Sequence, residues 1–448
     1  MYSGASSIRR RSSSIIEAHM YNDFDRRALL KVGSLSLFGF LGYGDVLRLR
    51  AQALTPAKRD ISIIHLLLSG GISQMDSWDP KPDVDSKYRS QFAPIETNVS
   101  GIRISDRLPL TAKQADKFVI IRSMTHKQVS HESALALICS GHDPLGTVQF
   151  PAMQAVISKE LGPRTDLPPV VSIPSVTGSW EKSGFLSTRY NPFNAGNPNT
   201  DNYKVRDLDL PMGVDWSRMD HRRSLLAMVD DEFRRLDTTG ITESMDSYSQ
   251  TAFQLMHSAQ AKKAFQIENE PEEVRDRYGR TSLGQGVLLA RRLVESGVRF
   301  VTVSRGFNAY DHHKDILPLL GNVFLPELDR AYSALLEDLH QRGMLDSTIV
   351  IVTGEFGRTP EINAGGGRDH WPTAFSLTMA GGGITGGRVY GSTDERGGFV
   401  KDNPVQVADV VATLYKKLGI DPDKEYVGNI GRPVKIGNNG KPLEFLMV

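Results

Sequence analysis

Cysteine is nearly absent from this sequence, since Cys139 is the only one among 448 residues. No disulfide can form within the chain, so its stability has to come from a hydrophobic core rather than from covalent cross-links. Cys139 lies in the apolar helical pattern ALALICSG, and this setting predicts a small core side chain.

An excess of charge of either sign is also missing, because 53 Lys and Arg residues stand against 52 Asp and Glu residues. No long stripe of Lys and Arg lies beyond the N-terminal segment, which argues against a nucleic-acid-binding surface. No repeat of solenoid period is present. With 40% hydrophobic and 23% charged residues, the composition indicates a globular protein.

Residues 1–53 differ from the rest of the chain. They contain a basic leader, the twin arginines Arg26 and Arg27, a moderately apolar stretch and the small-residue end AQA. This order predicts a twin-arginine-type signal peptide, with an amphipathic N-terminal helix as the alternative. Charged residues and glycines interrupt the apolar stretch, so no stable membrane span is predicted. We therefore expect a periplasmic or secreted protein, exported in the folded state by the twin-arginine translocation machinery.

Continuous apolar runs alternate with helical patterns along the remainder of the sequence. Buried strands are predicted at 61–68, 118–124, 168–173, 298–304, 347–353 and 374–381. Helices are predicted at about 131–139, 218–236, 246–265, 283–296, 322–341 and 404–418. This alternation predicts an α/β fold, in which helices sandwich a large, mostly parallel sheet. Residues 54–448 are expected to form a single domain, with a surface insertion at about 175–215.

Polar side chains collect in the segments that follow four of the predicted strands. They are Asp76, Asp79 and Lys81; His126 and His131; Asp311, His312 and His313; and Glu355, Arg358, Arg368, Asp369 and His370. Ligands of such sheets bind beyond the carboxyl ends of the strands. Carboxylates and neutral imidazoles are ligands of divalent cations. The pattern therefore predicts a metal site, although each segment alone is also typical of an ordinary polar loop.

The predicted cation is zinc or manganese, with calcium or magnesium as alternatives. Such an ion could both hold an anionic substrate and lower the pKa of a bound water. Anion binding is assigned to Lys81, His126 and Arg368, because positive charge near the site could neutralise a phosphate or sulfate. A catalytic role is assigned to Arg358. A salt-bridged loop scaffold is the alternative for the cationic side chains.

Several longer motifs give the chain a family resemblance. They are GGISQMDSWDPKP, RSMTHKQVSHE, PEEVRDRYG, LLARRLVESGVRFVTV, GEFGRTP, GRDHWP, AGGGITGGRVYGSTDE and DVVATLYKKLGIDP. Together with the twin-arginine leader, they resemble the bacterial domain-of-unknown-function family 1501. That family is assigned to the alkaline-phosphatase-like superfamily, which also holds sulfatases, phosphodiesterases and cofactor-independent phosphoglycerate mutases. The resemblance covers nearly the whole chain after the leader and implies an alkaline-phosphatase-like core.

The resemblance also implies a set of metal ligands. Asp311 and His313 match an Asp and a His that follow one strand in the superfamily, with His312 as a substitute for His313. Where an Asp-His pair follows the next strand, this chain has Glu355 and Phe356, of which only Glu355 can ligate a metal. His370 matches a later ligand. Asp76 and Asp79 stand further from the first strand than the superfamily Asp, and we include both as candidate ligands.

The nucleophile position departs most from the superfamily pattern. Sulfatases carry Cys-x-Pro-Ser-Arg followed by four residues and Thr-Gly, and their Cys becomes a formylglycine. When Thr-Gly is aligned with Ser140-Gly141, the Cys position falls on His131 and the Arg position on Leu135. Formylglycine chemistry is therefore not supported. We assign His131 a catalytic or ligating role in the first turn of a helix capped by Ser130.

These observations lead to an exported, metal-dependent hydrolase of phosphate or sulfate esters, whose substrate is a small molecule or a polysaccharide. The alternative is a catalytically degenerate binding protein, with carbohydrate as a candidate ligand, because fold does not determine function. A metal-dependent mutase or transferase is a third hypothesis.

Overall fold

The computed structural model describes residues 60–205 and 255–447, apart from positions 147, 176, 177 and 430, together with a few positions between 206 and 254. These residues belong to one compact unit, Asp60–Val448. The predicted signal peptide lies outside the described residues. So do most of the predicted helix at 218–236, the first part of that at 246–265 and part of the insertion at 175–215.

An eight-stranded sheet forms the centre of the described structure. Its strands in chain order are β1 Ser62–Leu67, β2 Phe118–Met124, β3 Val170–Ile173, β4 Phe193–Asn194, β5 Phe300–Ser304, β6 Thr348–Thr353, β7 Phe375–Ala380 and β8 Arg388–Tyr390. Their spatial order is β8-β2-β7-β6-β1-β5-β3-β4. The six predicted strands correspond to β1, β2, β3, β5, β6 and β7.

Every strand except β7 runs in the same direction. Strand β1 is parallel to both β5 and β6, β3 is parallel to β4 and β5, and β2 is parallel to β8. Strand β7 is antiparallel to its neighbours β2 and β6. The predicted mostly parallel sheet is confirmed.

Two hydrophobic clusters cover the two faces of this sheet. On β1, Ile64 and Leu66 belong to one cluster, whereas Ile63 and Leu67 belong to the other. This division follows from strand geometry, since successive side chains point to opposite faces. Because both faces are buried, the strands consist of continuous apolar runs instead of alternating apolar and polar residues.

Helices complete both clusters. They are α1 Pro109–Ala112, α2 His131–Ser140, α3 Met153–Leu161, α4 Ala259–Phe265, α5 Glu272–Tyr278, α6 Ser282–Glu295, α7 Leu325–Gln341 and α8 Val407–Leu418. Helices α6 and α7 pack in the first cluster, and α2, α3 and α8 pack in the second. The predicted arrangement of helices on both sides is confirmed. Among the described helices, none combines the length and apolar character needed to cross a membrane.

Several smaller elements surround this core. A π-helical segment, Leu317–Phe324, leads into α7. Four two-stranded ribbons pair Pro94–Glu96 with Arg103–Ser105, Gly357–Arg358 with His370–Trp371, Ser392–Thr393 with Val400–Asp402, and Glu425–Val427 with Pro433–Lys435.

His65 in the middle of β1 makes stability depend on pH. The side chain is buried, and its Nε2 has no hydrogen-bond partner among the described residues. Burial disfavours the charged imidazolium and lowers its pKa from 6.5 to about 4. Between pH 6.5 and 4, the unfolded chain therefore binds a proton at His65 that the folded chain does not bind. The free energy of unfolding decreases as the pH falls through this range.

Lowering the pH from 7.5 to 5 should therefore reduce the free energy of unfolding by about 2 kcal/mol through His65. Urea unfolding at the two pH values measures this difference. The variant His65→Leu should lose that part of the pH dependence, since leucine cannot bind the proton. An equal pH dependence in the wild type and the variant would contradict the expectation.

Candidate metal centre

Segments from different strands meet at one edge of the sheet. Strands β1, β2, β5 and β6 end at this edge, and His131, Asp311 and Glu355 follow the last three of them. His370 precedes β7 instead of following a strand. Since β7 is antiparallel, its first residue Phe375 pairs with Met124, the last residue of β2. The start of β7 thus lies at the same edge and brings His370 to the other three.

Three histidine Nε2 atoms surround the carboxylate of Asp311. The Nε2 atoms of His313 and His370 lie 3.0 and 3.3 Å from its Oδ1, and that of His131 lies 3.2 Å from its Oδ2. The Nε2 atoms of His313 and His370 are 3.0 Å apart. One potential ligand atom from each of His131, Asp311 and His370 lies within 4.8 Å of the other two. His313 adjoins this set through Asp311 and His370. We call His131, Asp311, His313 and His370 the metal centre.

The opposite nitrogen of each imidazole faces an acceptor. The Nδ1 of His131 lies 2.6 Å from Glu355 Oε1, and that of His313 lies 2.6 Å from Asp369 Oδ1. The Nδ1 of His370 lies 2.8 Å from the carbonyl oxygen of Val129. Because carboxylates and carbonyls only accept, each Nδ1 must carry the proton and donate it. In the neutral rings, all three Nε2 lone pairs are then available to a cation, as metal-binding histidines require.

The residues of the metal centre fit a divalent cation. Ligand atoms at about 2.0–2.1 Å from a tetrahedral ion lie roughly 3.3 Å from one another. The Nε2 atoms of His313 and His370 are this close to each other and to Asp311 Oδ1, and that of His131 is this close to Asp311 Oδ2. The Nε2 of His131 is buried and faces Asp311 Oδ2 at 3.2 Å. Three imidazoles and one carboxylate favour zinc over calcium and magnesium, which prefer oxygen ligands.

The charges of His131 and Asp311 depend on each other. Burial opposes the imidazolium form of His131, but hydrogen bonds with Asp311 and Glu355 outweigh it and raise its pKa to about 9. Burial also opposes ionisation of Asp311, and His131, His370 and Arg358 together lower its pKa well below its ordinary value. The metal-free centre therefore holds a proton on His131 that a bound cation would displace.

Glu355 lies behind His131 and outside the metal centre. Its carboxylate is fully buried and accepts hydrogen bonds from the backbone N–H groups of Gly70 and Gly71 as well as from His131. A Cβ on Gly70 would come within 2.4 Å of the backbone nitrogen of Asp311, and its φ of +112° also favours glycine. Glu355, predicted as a ligand, is placed as a partner that orients His131.

Arg358 is buried and holds Asp311 in position. Its Nη2 lies 2.6 Å from Asp311 Oδ1, and its Nε donates to the carbonyl oxygen of Gly71 at 2.8 Å. Its Nη1 donates to the carbonyl oxygen of Arg368 at 3.0 Å. These contacts occupy the guanidinium, so the structure gives the predicted catalytic Arg358 a positioning role through Asp311.

Asp76 and Arg368 form a buried ion pair with a distance of 2.8 Å between carboxylate and Nε. Ser73 and Ser90 donate to the same carboxylate. The remaining nitrogens of Arg368 donate to backbone carbonyl oxygens, including that of Tyr88 at 3.0 Å. Neither side chain is available to a ligand, so the structure does not bring Asp76 into the metal centre or expose Arg368 to an anion.

Asp79 is likewise engaged elsewhere. Its buried carboxylate lies 3.1 Å from Lys81 Nζ and 3.4 Å from Arg122 Nη1, and Thr393 donates to it. Asp79 and Lys81 line a charged cleft together with Tyr88 and Arg122. The structure therefore pairs the predicted ligand Asp79 with the predicted anion-binding Lys81.

His126 and His312 are both buried beside the metal centre. The Nδ1 of His126 accepts from the backbone of Gln128, so its Nε2 donates to the carbonyl oxygen of Glu355 at 2.6 Å. Burial lowers the pKa of His126, and the neutral ring holds the backbone of Glu355. Burial lowers the pKa of His312 to about 4, and its ring packs against Phe324. His313, not His312, faces Asp311.

Asp369 contacts a residue of the metal centre, although the sequence pattern indicated no role for it. Its carboxylate fixes the ring of His313 and is itself bonded by Asn363. The available signal was its place directly before His370, which pairs with Arg358 in the short ribbon.

Several solved structures resemble the chain at low sequence identity. They include a protein in the alkaline phosphatase superfamily from Vibrio parahaemolyticus (12% identity, TM-score 0.39, covering 86% of this chain and 70% of that one). A phosphonate monoester hydrolase of Agrobacterium radiobacter has 12% identity and a TM-score of 0.35, with 86% and 77% covered. A sulfatase from Pseudoalteromonas sp. has 12% identity and a TM-score of 0.37, with 83% and 70% covered.

No curated protein sequence matches the chain. The motifs that carry the family resemblance begin at Gly70, just after β1, and extend to helix α8. One family model, described as a protein of unknown function (DUF1501), matches residues 60–447. The chain therefore belongs to the DUF1501 family.

Proposed function

We propose that the protein is an exported, metal-dependent hydrolase of phosphate or sulfate esters. The observation that carries the proposal is the convergence of three histidine Nε2 atoms on Asp311, while each Nδ1 faces an acceptor. Such a set of oriented imidazoles is typical of metal-binding histidines. The export part rests on the twin arginines and small-residue end of residues 1–53.

The residues of the chain have separate roles in this proposal. When bound, a divalent cation supplies positive charge for the ester anion and lowers the pKa of water at the site. His131, His313, His370 and Asp311 would hold that cation. Arg358 keeps the Asp311 carboxylate in place, since its Nη2 lies 2.6 Å from Oδ1. Glu355 and Asp369 keep two of the imidazoles in the orientation that leaves Nε2 free.

Water is the attacking group in this proposal, because Cys139 cannot serve as a covalent nucleophile. The cysteine is buried in α2 within the second hydrophobic cluster. Burial raises the pKa of its thiol well above the ordinary value, which disfavours the reactive thiolate. His131, at the sulfatase cysteine position, is occupied by Glu355 and Asp311.

Metal removal and reloading test the proposal. We expect purified protein to bind about one zinc or manganese ion per chain by elemental analysis, and a chelator to abolish hydrolysis of aryl phosphates or aryl sulfates. Adding the metal back should restore turnover. Fractionation of expressing cells should find the protein outside the cytoplasm, and cytoplasmic retention would contradict the export part.

The alternative of a catalytically degenerate binding protein predicts a different outcome. The substitution of Phe356 for a ligating histidine is the observation that favours it, since the phenyl ring is buried and cannot bind metal. Metal uptake without turnover of either ester class would support this alternative. Failure to take up any of the tested ions would contradict the metal-dependent hydrolase, and tight carbohydrate binding without turnover would then support the binding protein.

A further inference from the structure

An aromatic surface lies directly beside the metal centre. Phe307 is 47% exposed, and its ring centroid is 6.5 Å from that of His131. The ring of Trp180 stacks on Phe307 with centroids 5.5 Å apart and an angle of 26° between the planes. We call Trp180 and Phe307 the aromatic ledge. It continues the metal centre through contact with one of its ligands.

The position of the ledge follows from the sheet. Phe307 comes after β5, and Trp180 lies in the helical turn Ser179–Glu181 after the neighbouring strand β3. The ring of Trp180 lies directly over Gly178, where a Cβ would come within 2.3 Å of the indole. A glycine at this position lets the ring approach the backbone closely. The ledge is thus positioned by two adjacent strands and by a residue without a side chain.

The phenyl ring of Phe307 stays about half exposed next to the metal centre. Aromatic side chains bury large apolar areas when they are satisfied, and exposed apolar surface next to a polar site marks ligand binding. Trp180 stacks on Phe307, and the phenyl ring remains partly exposed. A pyranose ring matches it, because such a ring has one apolar C–H face and hydroxyl groups around its edge. An aryl group would leave its second apolar face in water.

We infer that the aromatic ledge binds the apolar face of a sugar ring in the alcohol part of the ester. The inference rests on the proposed function, because the metal centre would hold the ester group of the same molecule. Binding of the sugar ring itself does not require turnover. Its test can therefore be separated from the test for hydrolysis.

A pair of matched substrates tests the inference. Methyl glucopyranoside 6-phosphate and sorbitol 6-phosphate both have a primary alcohol as leaving group, but only the first contains a ring. The wild type should favour the cyclic ester in kcat/KM by roughly 3- to 10-fold, through KM, as expected for a stacked ring pair. In Phe307→Ala and Trp180→Ala this ratio should fall to about 1, whereas Phe307→Tyr should keep it.

The control is Val427→Ala, which removes another exposed apolar side chain, 73% exposed on the ribbon Glu425–Val427. It should leave the ratio unchanged. In parallel, NMR saturation transfer measures the binding of methyl pyranosides and sorbitol, which contain no ester. Selective contact of the pyranosides that is lost in Phe307→Ala supports the ledge even if no ester is cleaved, in which case only the proposed function fails.

The opposite results would overturn the inference. One is a wild type that turns over cyclic and acyclic esters equally and shows no selective pyranoside contact. Another is a ratio that Phe307→Ala and Trp180→Ala leave unchanged. A preference for phenyl phosphate, with none for the pyranoside ester, would show that the ledge binds an aryl group instead of a sugar ring.

Discussion

The variant Asp311→Asn should lose metal binding and, with it, ester hydrolysis. The carboxylate of Asp311 is the group on which all three histidine Nε2 atoms converge, and asparagine removes its negative charge at nearly constant volume. The loss in affinity should exceed the roughly 10- to 100-fold that follows from loss of a hydrogen-bond partner of a metal-bound histidine. Competition with a fluorescent zinc chelator measures the affinity.

Glu355→Gln provides the graded comparison for this variant. Glutamine can still accept from His131, but it lacks the charge that supports the imidazole. We expect a decrease of about 10- to 100-fold in metal affinity, smaller than that of Asp311→Asn. A larger loss in Glu355→Gln than in Asp311→Asn would contradict the positioning role and restore Glu355 as a ligand. Circular dichroism must show that both variants are folded.

The second large effect is expected on the free energy of unfolding, in the variant Asp76→Asn. In Asp76→Asn, Arg368 loses its charged partner at a site where the two side chains are 1% and 0% exposed. An uncompensated buried charge costs about 3–5 kcal/mol. Urea unfolding should show a loss of this size, while the folded variant should bind zinc as tightly as the wild type. Normal stability with lost zinc binding would instead establish Asp76 as the ligand expected from its position after β1.

An exposed ion pair between the same two chain segments gives the control. Lys87 and Glu361 are 3.0 Å apart, with side chains 53% and 54% exposed. Water and salt screen such a pair, so Glu361→Gln should leave the urea midpoint close to that of the wild type. The double variant Asp76→Asn, Arg368→Met should recover part of the stability, because it removes the buried charge as well.

The core of the fold was predictable because its strands are buried on both faces. In a chain that alternates apolar runs with amphipathic helices, a run such as STIVIV predicts a buried strand. The observed strand β6, Thr348–Thr353, lies within the predicted strand at 347–353. Helices α3 and α5 were not predicted, since they are short and their apolar residues show little periodicity. The direction of β7 was also not predictable, because strand direction follows from connections and not from composition.

The candidate site was only partly predictable, for a different physical reason. Strand ends indicate which loops reach the edge of the sheet, and His131, Asp311, His313 and His370 do meet there. They do not indicate which way a side chain turns within a loop. Asp76 and Asp79 follow β1 but face Arg368 and Lys81, because buried carboxylates require charged partners.

The aromatic ledge was not predictable from the sequence either. Phe307 lies in the loop that carries Asp311 and His313, whereas Trp180 lies far from it in sequence, in the helical turn Ser179–Glu181. Only the adjacency of β3 and β5 places their rings in contact. Exposure of an aromatic side chain cannot be inferred from composition, since other phenylalanines of the chain, such as Phe300 and Phe375, are core residues.

The reversed direction of β7 has a consequence for how such sites diversify. Because β6 and β7 are antiparallel neighbours, the chain between them leaves and re-enters the sheet at one edge. Glu355, Arg358 and His370 all belong to this single connection. A recombination event that exchanged the connection between β6 and β7 would bring a different set of chemical groups to the site at once. The hydrogen bonds between the strands of the sheet would remain unchanged.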